Sequence, residues 1–299
     1  MVDQDTTEDG ATITGDRLAV LGSPIAHSRS PRLHAAAYAV LGLPWEYSAV
    51  EVSSERLPAF IGGLDDDWRG LSLTMPLKQA VLPVLHETDR MARLTGGVNT
   101  VLFQGTGRAR TLHGFNTDVS GIVRSLAETG TTRVDHVQIL GGGATAASAL
   151  AAAAELGAES VQVSMRAPSK AGTLVGLGHE LGLIVSIGSL AAAGEPPLAP
   201  QLVISTLPGG TETGVVFPAE LRAASVLLDV AYEPWPSELA RDWQDAGGVV
   251  VSGLGMLLHQ ALLQVRIFVS GDSFQALPNE VAVLAAMRES LTAEAVEGW

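Results

Sequence analysis

The sequence predicts an α/β protein with two domains. The chain of 299 residues is long enough for two domains that each bury a core. Short β-rich runs alternate with Ala- and Leu-rich helical stretches up to about residue 118, and a second alternation begins at His136. Alternation of this kind is typical of mostly parallel sheets flanked by helices.

The first alternation contains four predicted strands joined by helices. The strands are residues 18–22, 47–52, 70–74 and 98–104. The helices are residues 31–41, 57–64 and 79–85, and a connecting helix covers 118–128. The last of these strands runs into a Gly-rich turn at residues 105–107.

The second alternation has the order of a doubly wound nucleotide-binding domain. Its predicted strands are residues 137–140, 160–164, 184–187, 202–205, 226–230 and 249–251. An alanine-rich helix covers 146–156, a loop covers 190–200, and the end of the chain, 255–299, is again helical.

Composition narrows the class of protein. Hydrophobic residues make up 46% and charged residues 17%, which is globular, and the net charge of −14 disfavours nucleic acid as a partner. The absence of cysteine excludes disulfides and thiolate chemistry. No apolar run reaches the length of a membrane span, and the acidic start is no signal peptide. We expect a soluble, cytoplasmic protein with a disordered tail at residues 1–14.

Lysine is scarce in this chain. It has two lysines against sixteen arginines, and Lys78 ends the polar segment 70–78. Because lysine can give up a proton in a protein and arginine cannot, Lys78 is a candidate for proton chemistry. The alternative is an ordinary surface lysine.

A glycine-rich turn follows the first strand of the second alternation. The segment from Gly141 to Ala146 fits G-x-G-x-x-G/A, with a strand before it and a helix after it. Glycines there let the backbone approach a pyrophosphate at the helix N-terminus. A simple loop is the alternative. The candidate phosphate-binding residues are Gly141, Gly142, Gly143, Ala144 and Thr145.

The end of the next strand bears on cofactor choice. NAD sites usually carry an acid there to bond the ribose 2′-hydroxyl, but this chain has Arg166 and Lys170 and no acid. Two cations four residues apart could flank a 2′-phosphate, which favours NADP. An exposed basic turn is the alternative.

Polar clusters follow the predicted strands of the first alternation, where ligands of open α/β sheets bind. Hydroxyls, amides, one ammonium and one carboxylate together would suit a small polyhydroxy acid. A single cluster could instead be helix capping, since Ser30 before Pro31 suits an N-cap. The clusters are residues 22–31, 72–78, 97–100 and 116–118.

These clusters resemble the motifs of the shikimate dehydrogenase family in order and spacing. Residues 22–34 follow G-x-P-I-x-H-S-x-S-P-x-x-H. Residues 70–78 follow G-x-N/S-V-T-x-P-x-K, with Ser72 for the commoner Asn and Leu73 for Val. Residues 96–100 correspond to G-A-V-N-T with Gly97 for Ala, and 116–118 match N-T-D. Residues 204–208 correspond to I-N-A-T-P but read Ile-Ser-Thr-Leu-Pro. The motifs D-x-x-Y-x-P and G-x-G-M-L-x-x-Q match 229–234 and 253–260. The NADP clamp N-R-T-x-x-R keeps its cations at Arg166 and Lys170 but loses the Asn and Thr.

The resemblance implies a fold, a reaction and a set of roles. It implies an N-terminal α/β substrate domain, residues 15–118 plus 253–299, and a Rossmann-like NADP-binding domain, 119–252. NADPH would reduce the C3 ketone of 3-dehydroshikimate to shikimate, with Lys78 and Asp118 flanking the reacting oxygen and no metal. Thr206 would contact the cofactor, and Tyr232 and Gly253 would lie near substrate and nicotinamide. Ser28 and Ser30 would hold the substrate carboxylate, and its hydroxyls would be bonded by Ser72, Thr74, Asn99 and Gln260.

Three other activities remain open at this point. One is a quinate/shikimate dehydrogenase that works oxidatively with NAD, which an acid after the second strand would favour. Another is a non-catalytic shikimate-binding regulator, which loss of Lys78 or Asp118 would favour. The third is a folate-interconverting dehydrogenase, which the Ser28/Ser30 motif disfavours. The expected ligands are small molecules, and the chain would act as a monomer or homodimer.

Overall fold

The computed structural model describes residues 15–292, which form two compact units. The first unit comprises residues 15–117 and 260–292, and the second comprises 118–259. Each unit holds one six-stranded sheet with helices, so the predicted α/β class is confirmed. The tail predicted at residues 1–14 lies outside the described residues.

The first unit has a sheet of mixed direction, in the order β2-β1-β3-β5-β6-β4. Its strands are β1 (Arg17–Gly22), β2 (Glu46–Glu51), β3 (Trp68–Leu73), β4 (Glu87–Thr88), β5 (Thr100–Gln104) and β6 (Thr111–Phe115). β1 is parallel to β2 and β3, whereas β5 is antiparallel to both of its neighbours. The central strand β3 is buried along its whole length, because it is covered on both faces.

The helices of the first unit are short, except at its two ends. They are α1 (Ser30–Leu41), α2 (Leu57–Gly62), α3 (Leu77–Ala80), α4 (Arg90–Thr95), the C-terminal part of α10 (Gly253–Ser270) and α11 (Glu280–Thr292). α11 packs against α1.

Two local expectations and one alternative interpretation for this unit were wrong. Ser30 does not cap a helix: it is the first residue of α1, Arg29 is the N-cap, and no side chain caps the helix. The helix predicted over 79–85 is α3 followed by a 3₁₀ turn, because Pro83 cannot continue an α-helix. The helical end of the chain is interrupted between α10 and α11, where Gly271 has a φ of +82°.

The second unit has a fully parallel sheet in the order β12-β11-β10-β7-β8-β9. Its strands are β7 (His136–Leu140), β8 (Ser160–Met165), β9 (Ile184–Ser189), β10 (Leu202–Ser205), β11 (Val226–Asp229) and β12 (Val249–Ser252). Its helices are α5 (Asp118–Ala127), α6 (Ala144–Glu155), α7 (Gly172–Glu180), α8 (Ala219–Ala224) and α9 (Glu238–Asp245). Strand order reverses between β7 and β10, the point at which doubly wound sheets bind nucleotides.

Helix α10 is the longest helix among residues 15–292. Length and composition alone would allow it to cross a membrane, but 72% of it is buried inside the protein. The buried core helices of globular proteins can have the same length and composition, so these two properties are weak evidence for a membrane span.

Candidate functional site

The carboxyl ends of β1 and β3 bring two of the predicted polar segments together. The Thr74 amide donates to the Leu21 carbonyl at 2.9 Å, and the Ser23 amide donates to the Met75 carbonyl at 3.0 Å. Further along the first segment, the Ser30 amide donates to Ser28 Oγ at 3.4 Å. Ser28 is half-buried and Ser30 is buried.

Asn99, just before β5, is the centre of a buried polar cluster in the first unit. Its Nδ2 donates to Gln260 Oε1 at 3.2 Å, which brings together two of the predicted substrate-binding residues. Its Oδ1 accepts the Thr117 amide at 3.0 Å and the Thr100 hydroxyl at 2.9 Å. With both ends of its amide bonded, the orientation of the Asn99 side chain is fixed.

Ser72, on β3, contributes a further buried hydroxyl to this cluster. It lies 2.7 Å from the Tyr47 hydroxyl and donates to Gln264 Oε1 at 3.0 Å. Gln264 Nε2 in turn donates to the Asn99 carbonyl at 3.2 Å. Sequence reasoning missed Gln264, although it lies one helical turn after Gln260 on α10.

His34, on α1, contacts Gln264, and sequence reasoning did not assign it to the site either. Its Nε2 is 3.2 Å from Gln264 Oε1 and its Nδ1 is 3.0 Å from the Tyr38 hydroxyl. The ring is completely buried, and loss of hydration lowers the pKa of His34 from 6.5 to about 3. The imidazole is therefore neutral at physiological pH.

The two predicted catalytic side chains lie at the starts of two helices. Lys78 is the second residue of α3 and is half-buried; its carbonyl accepts the Val98 amide at 2.8 Å. Asp118 is the first residue of α5 and is buried. It directly follows Thr117, whose amide is bonded to Asn99.

The glycine turn of the second unit joins β7 to α6. Gly141 has a φ of +119°, and a Cβ there would lie 2.3 Å from Thr206 Oγ1, so the position requires glycine. Gly142 lies beside Met165. Gly143 is the N-cap of α6 and offers no capping side chain. Among residues 15–292, no atom lies within 4 Å of a Cβ added there.

The start of α6 suits a phosphate group. The first N–H groups of a helix have no partner within it, and here no N-cap side chain accepts from them. Ala144 and Thr145 open the helix. Thr206 is held beside the turn, since its amide and hydroxyl donate to the Leu140 carbonyl at 2.8 and 2.9 Å. These residues fit a dinucleotide bound through its pyrophosphate.

The two cations lie on the loop after β8, next to the glycine turn. Arg166 directly follows the last residue of β8, and Lys170 ends a 3₁₀ turn. Both are exposed, and no acidic residue lies between them in the sequence.

The loop after β11 carries Tyr232. This loop borders a cavity of about 700 Å³ at the carboxyl ends of β10 and β11. Asp229, which sequence reasoning did not assign, is buried there and accepts from Ser237 Oγ at 2.5 Å and the Ala231 amide at 3.2 Å. Burial raises the pKa of Asp229. Gly253 starts α10 so close to β11 that a Cβ would lie 2.0 Å from the Val230 carbonyl oxygen.

Comparisons with known proteins agree on one family. Residues 20–101 match the family model described as the shikimate dehydrogenase substrate binding domain. The chain is 33% identical to an NADP(+) shikimate dehydrogenase of Methanothermobacter thermautotrophicus over 260 residues, which are 85% of this chain and 90% of that protein. A Thermus thermophilus enzyme of the same name is 34% identical, over 92% of this chain and 98% of its own.

Solved structures give the same result. A crystal structure of Mycobacterium tuberculosis shikimate dehydrogenase is similar with a TM-score of 0.74 and 38% identity, covering 92% of this chain and 99% of that one. A shikimate 5-dehydrogenase from Thermus thermophilus, solved in complex with NADP(H) and shikimate, is similar with a TM-score of 0.73 and 32% identity over 92% of this chain and 99% of its own. The resemblance found in the sequence motifs is therefore confirmed.

Proposed function

We infer the activity from the family: this chain belongs to the shikimate dehydrogenase family, and it catalyses the NADPH-dependent reduction of 3-dehydroshikimate to shikimate. The reaction is reversible and serves chorismate and aromatic amino acid biosynthesis. The relatives reported above are named for shikimate and NADP, which favours this activity over quinate oxidation with NAD and over a purely regulatory role.

We propose that the first unit binds the substrate. The observation that carries this assignment is the buried cluster at Asn99, in which the amide of Asn99 is bonded to Gln260 and its carbonyl to Gln264. Fixed polar groups of this kind select a polyhydroxy ligand, because an unmatched buried polar group costs free energy. The hydroxyls of the substrate would be bonded by Ser72, Thr74, Asn99 and Gln260, and its carboxylate by Ser28 and Ser30.

Lys78 and Asp118 are proposed to act on the reacting oxygen. In the reduction, the ketone oxygen gains negative charge, which the Lys78 ammonium stabilises before it gives that oxygen a proton. The neutral lysine then regains a proton from solvent. The carboxylate of Asp118 would orient the ammonium and favour its charged form.

We propose that the second unit binds NADP, whose reduced form, NADPH, would supply the hydride when bound. Gly141, Gly142, Gly143, Ala144 and Thr145 would hold the pyrophosphate at the start of α6. Arg166 and Lys170 would pair with the 2′-phosphate, Thr206 would contact the dinucleotide, and Tyr232 and Gly253 would lie near the nicotinamide and the substrate. The domains would then be 15–118 with 253–299 for substrate and 119–252 for NADP.

The proposed ligands are small molecules, and we propose a cytoplasmic enzyme that acts as a monomer or homodimer. The test is a spectrophotometric assay at 340 nm of shikimate and quinate, each with NADP and with NAD. We expect the highest kcat/KM for shikimate with NADP. A higher value for quinate with NAD, or binding of shikimate without turnover, would contradict the proposal.

A further inference from the structure

The direction of every hydrogen bond around Ser72 can be deduced from one backbone carbonyl. The Asn99 carbonyl accepts from Gln264 Nε2 at 3.2 Å and from the Leu73 amide at 2.8 Å. A carbonyl oxygen only accepts, so the nitrogen of the Gln264 amide must face it. The Gln264 oxygen consequently faces Ser72 and His34.

The orientation of Gln264 fixes the protons of its two other neighbours. Since Gln264 Oε1 accepts, the Ser72 hydroxyl at 3.0 Å and the His34 Nε2 at 3.2 Å must both donate. His34 is then the Nε2–H tautomer. Its bare Nδ1 accepts from the Tyr38 hydroxyl at 3.0 Å.

Ser72 has a single hydroxyl proton, which it donates in the hydrogen bond to Gln264 Oε1. The Tyr47 hydroxyl at 2.7 Å must therefore donate to Ser72, which occupies one of the two lone pairs on Ser72 Oγ. One lone pair remains. Burial lowers the pKa of His34 to about 3 and raises the pKa of Tyr47, so this proton order does not change across neutral pH.

We propose that Gln264 and Tyr47 are positioning residues that make Ser72 a hydrogen-bond acceptor toward the substrate, so that Ser72 recognises only a group that donates, such as a hydroxyl. This inference rests on the proposed function, in which Ser72 contacts a substrate hydroxyl. The Asn found commonly in the family at this position presents both a donor and an acceptor, whereas the tethered Ser72 presents an acceptor alone.

The specificity of Ser72 is tested with shikimate analogues in which each hydroxyl in turn is replaced by fluorine. Fluorine cannot donate a hydrogen bond. Dissociation constants are measured by calorimetry. For one analogue, we expect binding to be about tenfold or more weaker than that of shikimate, the cost of leaving a buried acceptor unmatched. Gln264→Met releases the Ser72 proton, so this difference should shrink to within about threefold.

A matched pair of tyrosine variants tests the positioning role. Tyr47→Phe keeps the ring but removes the donor to Ser72, and it should raise the KM for shikimate about three- to tenfold with little change in kcat or in the KM for NADP. Tyr38→Phe removes a hydroxyl that bonds His34 on the far side from Gln264, and it should leave the KM for shikimate unchanged. In a Ser72→Ala background, Tyr47→Phe should have no further effect on that KM, because it acts through Ser72.

A readout that does not need activity tests the proton order itself. Nitrogen-15 NMR of the histidines should find His34 neutral and protonated on Nε2 from pH 5 to pH 8. A proton on Nδ1 would overturn the inference. The inference would also be overturned if each fluorinated analogue lost the same binding affinity, relative to shikimate, in the unmodified protein and in Gln264→Met. Absence of turnover combined with the expected binding preference would instead contradict only the proposed function, and absence of any shikimate binding would contradict both.

Discussion

The imidazole of His34 is stacked on the ring of Tyr47, with centroids 3.9 Å apart and planes within 10° of parallel. The stack holds a neutral, buried histidine whose folded pKa of about 3 lies below its ordinary value of 6.5. Between these two pH values the unfolded chain binds a proton that the folded protein does not. Stability from this group is therefore complete above pH 6.5 and is lost as pH falls toward 3.

We expect His34→Asn to be less stable than the unmodified protein by about 1–3 kcal/mol at pH 7, because hydrogen bonds to Tyr38 and Gln264 are weakened. The difference should shrink as pH falls from 6.5, by up to about 1.4 kcal/mol per pH unit, because asparagine does not titrate. Denaturant unfolding of both proteins at pH 7, 6 and 5 measures this. If the difference stayed constant with pH, His34 would bind its proton in the folded protein at the same pH as in the unfolded chain.

Lys78→Met should lower kcat by about 10²-fold or more and change the KM for shikimate far less, which is the usual scale for a positioned acid–base group. Lys170→Met removes the only other lysine of the chain and provides a matched control. It should raise the KM for NADP but retain kcat at saturating cofactor. Steady-state kinetics of both variants measure this, and a near-normal kcat for Lys78→Met would remove that residue from the mechanism.

Sequence motifs predicted Ser72, Asn99 and Gln260 as substrate-binding residues, but they did not reveal what fixes Ser72. Its partner Gln264 lies 192 positions away in the chain, and the contact exists only because α10 packs beside β3. Most strand positions were predictable because they follow from local apolar periodicity. The sequence analysis missed the strands β4 and β6 and the helices α4, α7, α8 and α9. The antiparallel direction of β5 was not predictable in the same way, because strand pairing depends on the whole sheet.

The sequence motif of the glycine turn also left out the structural reason for each glycine. The motif identified Gly141 and Gly143 together, yet the structure separates their reasons. Gly141 is required by its positive φ and by contact with Thr206, whereas no described atom lies within 4 Å of an added Cβ at Gly143.

We therefore expect different effects from two alanine substitutions in this turn. Gly143→Ala should retain the thermal midpoint of the unmodified protein but raise the KM for NADP, because the new methyl group would occupy space that the bound phosphate needs. Gly141→Ala should lower the thermal midpoint, since alanine is strained at its φ and meets Thr206. Thermal unfolding with and without NADP measures both. An unchanged KM for Gly143→Ala would argue against phosphate binding at this end of α6.

The two cations after β8 determine which cofactor the protein should prefer. Arg166 and Lys170 follow β8 with no carboxylate between them to bond a bare ribose. A charge-assisted bond to a phosphate contributes roughly 1.5–3 kcal/mol, which is enough for tenfold or more in affinity. Arg166→Ala should therefore raise the KM for NADP about tenfold and leave the KM for NAD nearly unchanged, since only the 2′-phosphate loses a partner.

Replacing Lys170 with alanine should have the smaller effect, because its flexible ammonium gives one contact where a guanidinium can give two. The measurement is kcat/KM for NADP and for NAD in the unmodified protein and in both variants. A parallel loss for the two cofactors would show that Arg166 supports the loop after β8 rather than the phosphate. Equal kcat/KM for NADP and NAD in the unmodified protein would mean that the two cations do not select the cofactor.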